Sequence, residues 1–152
     1  MELGSWRVTE AWGRGYLEAV GDDRPECWES GVAPPLGLTA LILGTLLKRL
    51  DLPPGAIHSS QEVEPLGAVR WGEVISANAS IDGPKRKGGM DIITASYSIN
   101  DGSGREILKG RSTVLNVDAG ASSLVNGTSS VPPNAREGTG VIAAGAMRAM
   151  LE

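Results

Sequence analysis

Fifteen consecutive residues, Leu36 to Leu50, carry leucine or isoleucine at positions 36, 38, 41, 42, 43, 46, 47 and 50 and no acidic side chain. Pro34-Pro35 stands before the run and Pro53-Pro54-Gly55 behind it. Proline is accepted in the first turn of a helix and ends one from beyond its last turn, so the segment predicts a helix that begins near Pro35 and stops before Pro53. Its apolar positions occupy most of the circumference, and a helix of that kind has to be covered on nearly all sides. Gly37, Thr39, Gly44, Thr45, Lys48 and Arg49 interrupt the run, which excludes a membrane span. The rest of the chain must therefore supply the cover.

After Gly55 the apolar period changes to two. Glu73 to Asp82 places Ile75, Ala77, Ala79 and Ile81 on one face against Ser76, Asn78, Ser80 and Asp82, and Met90 to Asn100 does the same with Ile93, Ala95, Tyr97 and Ile99. Such alternation belongs to half-buried strands. Ala56 to Glu64 and Arg105 to Val117 are read as two more. Asp82 to Gly89 and Asn100 to Gly104 are rich in turn residues and read as the connections between strands. One long buried helix followed by an antiparallel meander predicts an α+β chain in which the sheet wraps the helix, the hot-dog pattern.

Ahead of this core, Thr9 can cap a helix over Glu10 to Val20 that ends at Gly21, although Gly13 and Gly15 weaken it. Residues 1–117 form one expected domain, and residues 118–152 an extension rich in Gly, Ala, Ser and Thr. The first part of that extension resembles a linker, Val141 to Leu151 could form a short helix, and the whole is expected to dock on its own domain or on a neighbour. With 152 residues, a net charge of -4 and one cysteine, the chain offers neither the basic face that nucleic acid needs nor an internal disulfide. The N-terminus shows no signal peptide. A cytoplasmic protein is the expectation.

Three segments resemble the MaoC-like (R)-specific enoyl-CoA hydratases and dehydratases, above all the N-terminal or non-catalytic half of their double hot dogs. The first is Tyr16-Leu-Glu-Ala-Val-Gly-Asp-Asp-Arg-Pro-Glu-Cys27, to set beside that family's Gly-Asp-x-Asn-Pro-x-His. The second is Val32-Ala-Pro-Pro-Leu36 at the start of the buried helix. The third is Ile57-His-Ser-Ser-Gln-Glu-Val-Glu64 followed by Val69-Arg-Trp-Gly-Glu73, and Gly110-Arg-Ser-Thr-Val114 completes the set. The match covers roughly residues 6 to 117.

The resemblance implies an acyl-CoA or acyl-carrier thioester held between two hot-dog units, and hydration of a trans-2-enoyl group or the reverse. Coenzyme A enters as part of the substrate, and no cofactor is expected. In intact members an aspartate and a histidine act together on water, and a backbone N–H at the start of the buried helix stabilises the thioester enolate. Here Arg24 replaces the asparagine and Cys27 the histidine. Pro35, which has no N–H, occupies the place of the usual glycine. Only Glu26 to Val32 separates Pro25 from Ala33, where intact members have a helix overhanging the acyl chain.

Each candidate residue has two readings. Asp22 is the surviving half of an acid/base pair or an aspartate that binds nearby backbone N–H groups after a helix. His58 is the only histidine; it is a proton carrier or a hydrogen-bonding strand residue. Lys85, Arg86 and Lys87 bind coenzyme A phosphates or decorate a solvated hairpin tip, and Arg111 has the same alternatives. Trp28 lines or plugs the acyl channel, or simply packs. Gly37 is placed with the acyl-CoA-binding residues. Cys27 is a nucleophile or proton carrier or, as a lone cysteine with no identified base, just a small buried side chain, and one His with one Cys makes no metal site.

The functional expectation is a MaoC-type hydratase or 3-hydroxyacyl dehydratase protein, serving as the acyl-binding subunit of a homodimer or of a heterodimer with a catalytic partner. The alternatives are an acyl-CoA binding module without chemistry, and a hot-dog thioesterase that activates water with Asp22 or a glutamate.

Overall fold

The structure, a computed structural model, describes residues 1–22 and 24–117. The expectations for residues 118–152 lie outside the described residues. In chain order the elements are β1 (Glu2–Arg7), α1 (Glu10–Val20), α2 (Glu26–Glu29), α3 (Pro35–Leu50), β2 (Ala56–Pro65), β3 (Val74–Lys87), β4 (Met90–Asn100) and β5 (Glu106–Val117). The strands form one antiparallel sheet in the order β1-β3-β4-β5-β2, so β1 and β2 are its edges. The expected α+β architecture, a sheet laid around one long helix, is the one observed.

α3 begins and ends where its prolines require. Leu38, Leu41, Ile42 and Leu46 are buried against Ile75 and Ala77 of β3, Ala95 and Ile99 of β4, and Ile107 and Leu108 of β5, within one core cluster. Small side chains at 77, 79 and 95 let the sheet close onto the helix without clashes. Cover is nevertheless one-sided. Leu36 is 63% exposed and Leu43, Leu47 and Leu50 are only partly covered, so the flank of α3 facing away from the sheet stays open. Burial on nearly all sides, expected of this helix, is not achieved within the described residues.

α1 matches its sequence signals. The Thr9 side chain accepts a hydrogen bond from the Trp12 backbone N–H at 3.1 Å, and Gly21 closes the helix with φ +74°. Such a cap contributes about 1 kcal/mol. Gly13 inside α1 is explained by packing: a Cβ there would overlap the Trp71 ring.

Two elements depart from the sequence reading. β1 carries no readable alternation because Gly4, at φ +141°, sits at a register shift between Glu2 and Gly4 that breaks the period of two. Conversely, the segment Asp82 to Lys87 is strand and not connection. A bulge between Asp82 and Lys85 absorbs Gly83-Pro84, after which Lys85, Arg86 and Lys87 pair with Ile92, Asp91 and Met90. Only Gly88-Gly89 remains for the turn. A proline at a bulge costs the ladder little, which is why a stretch that reads as a loop can still be strand.

Candidate functional site

The segment with the strongest family signal lies between α1 and α3. Gly21 ends α1 and Asp22 follows, its backbone N–H bonded to the Leu17 carbonyl at 2.9 Å. Pro25 then starts the single turn of α2. This geometry turns Arg24 back upon Asp22. Its Nε and Nη2 donate to the two carboxylate oxygens at 2.9 and 2.8 Å, a bidentate pair. The Arg24 side chain hydrogen bond, with a second from Cys27, holds the Asp22 carboxyl far below the usual carboxylate range. The Cys27 thiol is pushed up, first by partial burial and then by the adjacent Asp22 charge. Asp22, Arg24 and Cys27 therefore stand together, with the aspartate fixed as an anion and the thiol kept neutral.

A depressed carboxyl in the folded chain makes a defined prediction. The Asp22 contribution to stability is fully present above the unfolded-state carboxylate pKa and is lost as pH falls through the lower folded-state value. Carboxyl-carbon NMR is expected to show Asp22 still ionised at pH 3, where an ordinary aspartate is largely protonated. In Arg24→Ala its titration moves back toward the ordinary range.

The segment after Pro25 is stitched to Val69-Arg-Trp-Gly-Glu73. The Trp71 indole N–H donates to the Trp28 carbonyl at 3.3 Å, the Trp71 backbone N–H to Gly31 at 3.2 Å, and the Ala33 N–H to Val69 at 2.7 Å. On its other side the same motif holds β1, through Gly72 N–H to Val8 and Val8 N–H to Glu73. Trp28 is half-buried, with the Arg14 guanidinium 5.2 Å from its ring centre. Gly37 in the first turn of α3 lies beneath Trp12 and Tyr16, whose atoms would stand 3.2 and 3.1 Å from a Cβ at that position. Its N–H donates to the Pro34 carbonyl at 2.9 Å.

The remaining candidates lie elsewhere. His58 is exposed on edge strand β2, next to a register shift, and its side chain has no hydrogen-bond partner among the described residues. The partners of Asp22 are Arg24 and Cys27, so His58 does not join it. Of the basic cluster, Lys85 pairs with Asp82 and Arg86 with Asp91. Both lie on the ordered β3–β4 hairpin. Arg111 lines a groove of about 770 Å3 on the outer face of the sheet, together with Glu62, Glu64, Ser80, Ser96 and Lys109. That groove carries charges of both signs, and neither Asp22 nor Cys27 lines it.

Sequence reasoning missed Gln61, although it sits three residues after His58 in the quoted motif. Its amide donates to the Tyr97 hydroxyl at 2.8 Å and accepts from the buried Ser112 hydroxyl, with Thr39 of α3 also beside the Tyr97 hydroxyl. Burial raises the Tyr97 hydroxyl pKa. The chain Ser112-Gln61-Tyr97-Thr39 ties β5, β2 and β4 to the helix. The place of Gln61 two residues before Val63, on the same face of the strand, was the available signal. Among the described residues no three His, Cys, Asp or Glu gather as a metal site, and no helix is long and apolar enough to cross a membrane.

The sequence matches no family model and no curated protein. Solved structures do match. A complex described as the C-terminally truncated 3R-hydroxyacyl-ACP dehydratase HadBC of Mycobacterium tuberculosis aligns with TM-score 0.63 at 20% identity, over 74% of this chain and 90% of that one. The (R)-hydratase of A. caviae involved in PHA biosynthesis aligns with TM-score 0.60 at 19% identity, over 75% of this chain and 96% of that one. A MaoC-like dehydratase gives TM-score 0.64 at 19% identity over 86% of this chain, which spans only 46% of that longer protein. Five antiparallel strands closed on one long helix, superimposable on these structures, make this chain an α+β hot-dog unit with the fold of the MaoC-like dehydratases and (R)-hydratases.

Proposed function

We propose that this chain is the acyl-thioester-binding, non-catalytic subunit of a MaoC-type enoyl-thioester hydratase or 3-hydroxyacyl dehydratase, working in the cytoplasm beside a subunit that carries the Asp–His pair. The observation that supports it is the Asp22–Arg24–Cys27 cluster. Hydration requires a base to take a proton from water as its oxygen attacks C3 of the enoyl group, and then delivery of a proton to C2. A carboxylate held by a guanidinium on both oxygens is a weaker base, and a neutral thiol with a raised pKa does not replace an imidazole. The segment keeps its place after α1 while its proton chemistry is removed. A catalytic partner accounts for both, and the open flank of α3 with the unpaired β2 edge is surface of the kind that a second hot-dog unit covers.

The test is a hydratase assay with crotonyl-CoA and longer trans-2-enoyl-CoA esters, on the purified chain and on its mixture with a hot-dog subunit carrying an intact Asp–His motif. Turnover is expected in the mixture and not in the chain alone. Turnover by the chain alone overturns the proposal, and silence of the mixture with acyl-CoA binding retained replaces it with a binding module.

A further inference from the structure

The outer face of the sheet is polar over much of its area, with Thr94, Ser96 and Ser98 of β4 beside Thr113, Arg111 and Lys109 of β5. Toward the β3–β4 turn its character changes. Ile92 stands opposite Leu115, Leu115 opposite Ile57, and Met90 opposite Val117. Side chains alternate between the two faces of a strand, and Ala95, Tyr97 and Ile99 belong to the core against α3, so Met90, Ile92 and their partners lie on the face away from the helix. Ile57 is 55% exposed and the other four are only partly buried.

Apolar side chains gathered in two neighbouring rows of an outer sheet face call for a cover. A second hot-dog unit on the open flank of α3 does not provide it, because that flank lies on the other side of the sheet. The chain itself offers one. β5 brings the backbone to the patch at Val117, and residues 118–152 follow from there. Within them Val141 to Leu151 consists of Val, Ile, Ala, Gly, Met and Leu with Arg148 as its only charge. Read at helical spacing, Ile142, Ala146, Met147 and Met150 share one side, and Arg148 with Glu152 the opposite one. Methionine suits a shallow apolar surface, since its unbranched side chain adapts to irregular contacts. The intervening residues 118–140, rich in Gly, Ser and Thr, are long enough to lead the segment back to the surface that the chain has just left.

We infer that the outer-face patch of Ile57, Met90, Ile92, Leu115 and Val117 is the docking surface for residues 141–151 of the same chain. The contact covers the sheet on the side that α3 leaves bare. It also keeps the extension away from the α3 flank, which stays free for a second subunit. The inference does not rest on the acyl-binding reading, because patch and segment are defined without it.

Methionine methyl groups report on both sides of the contact, because Met90 lies in the patch and Met147 and Met150 in the segment. On the full chain with labelled Met, Ile and Leu methyl groups, nuclear Overhauser effects are expected from Met147 and Met150 to Met90, Ile92 and Leu115. In the double variant Met147→Asp, Met150→Asp these effects disappear, and the fluorescence of the apolar dye anilinonaphthalene sulfonate rises severalfold at unchanged far-UV circular dichroism. Ile92→Ser, on the other side of the contact, weakens the same effects. Effects that arise only between chains, in a mixture of differently labelled copies, would give the patch to a second copy and overturn the inference. Effects from the segment to Leu43 or Leu47 of α3 instead of the patch overturn it too. So does their absence from the native chain.

Discussion

The double variant Arg24→Asn, Cys27→His is expected to hydrate crotonyl-CoA at least about a hundredfold faster than the native chain, the lower end of what a positioned acid/base pair contributes. Asparagine releases the Asp22 carboxylate from its guanidinium clamp, and histidine at 27 supplies a group that titrates near neutrality. The two changes depend on each other. Cys27→His alone leaves Asp22 bound to Arg24, and Arg24→Asn alone leaves no imidazole, so each single variant should remain close to the native rate and the pair should exceed the product of the two. The rate stays well below that of an intact hydratase, because Pro35 still offers no backbone donor to a developing enolate. Kinetics at 25 °C with a folded double variant decide the matter. A rate no higher than that of the native chain would mean that the cluster is not a disabled hydration site.

Gly110→Ala carries the largest expected loss of stability, about 3 kcal/mol or more, seen as a fall in melting temperature on the order of 10 °C. Tyr97 lies across β4 and β5 with its ring directly over Gly110, and a methyl group there would occupy ring space. Displacing the ring also breaks its bond to Gln61 and strands buried polar groups, which adds to the steric cost. The effect should be specific. In a Tyr97→Ala background the ring is already gone, and Gly110→Ala should cost little there, so the four proteins of a double-mutant cycle reveal a coupling comparable to the single-site loss. An undiminished penalty in that background would point to a backbone cause.

How much of this was legible follows the nature of each signal. Helix α3 was readable because its prolines and its dense set of leucines and isoleucines are local signals, and β4 because apolar and polar side chains alternate from Ile93 to Asn100. β1 was hidden by a register shift at Gly4, and the outer part of β3 by Gly83-Pro84 and three consecutive cations, which read as a loop until the bulge is seen. At the candidate site the sequence identified Asp22 and the replacements at 24 and 27, since these are neighbours in the chain. It could not show that Arg24 folds back to clamp Asp22, because that depends on the local backbone turn and rotamer, nor that Val69 to Glu73 braces β1 and the α2 segment, because those contacts depend on where separate elements meet. Gln61 escaped notice for the same reason. Its partners Tyr97 and Ser112 are 36 and 51 residues away.

The fit of Tyr97 over Gly110 also selects how the two strands align while the chain folds. In the native ladder Ser96 faces Arg111 and Ser98 faces Lys109. A slip of one residue in either direction would set the Tyr97 ring opposite one of those long cations and turn the inward side chains of β4 to the solvent. A slip of two would bring it over Leu108 or Ser112, neither of which leaves room for an aromatic face. Only one alignment of β4 with β5 offers the ring a gap, so a single missing side chain acts as a keyway for the central strands.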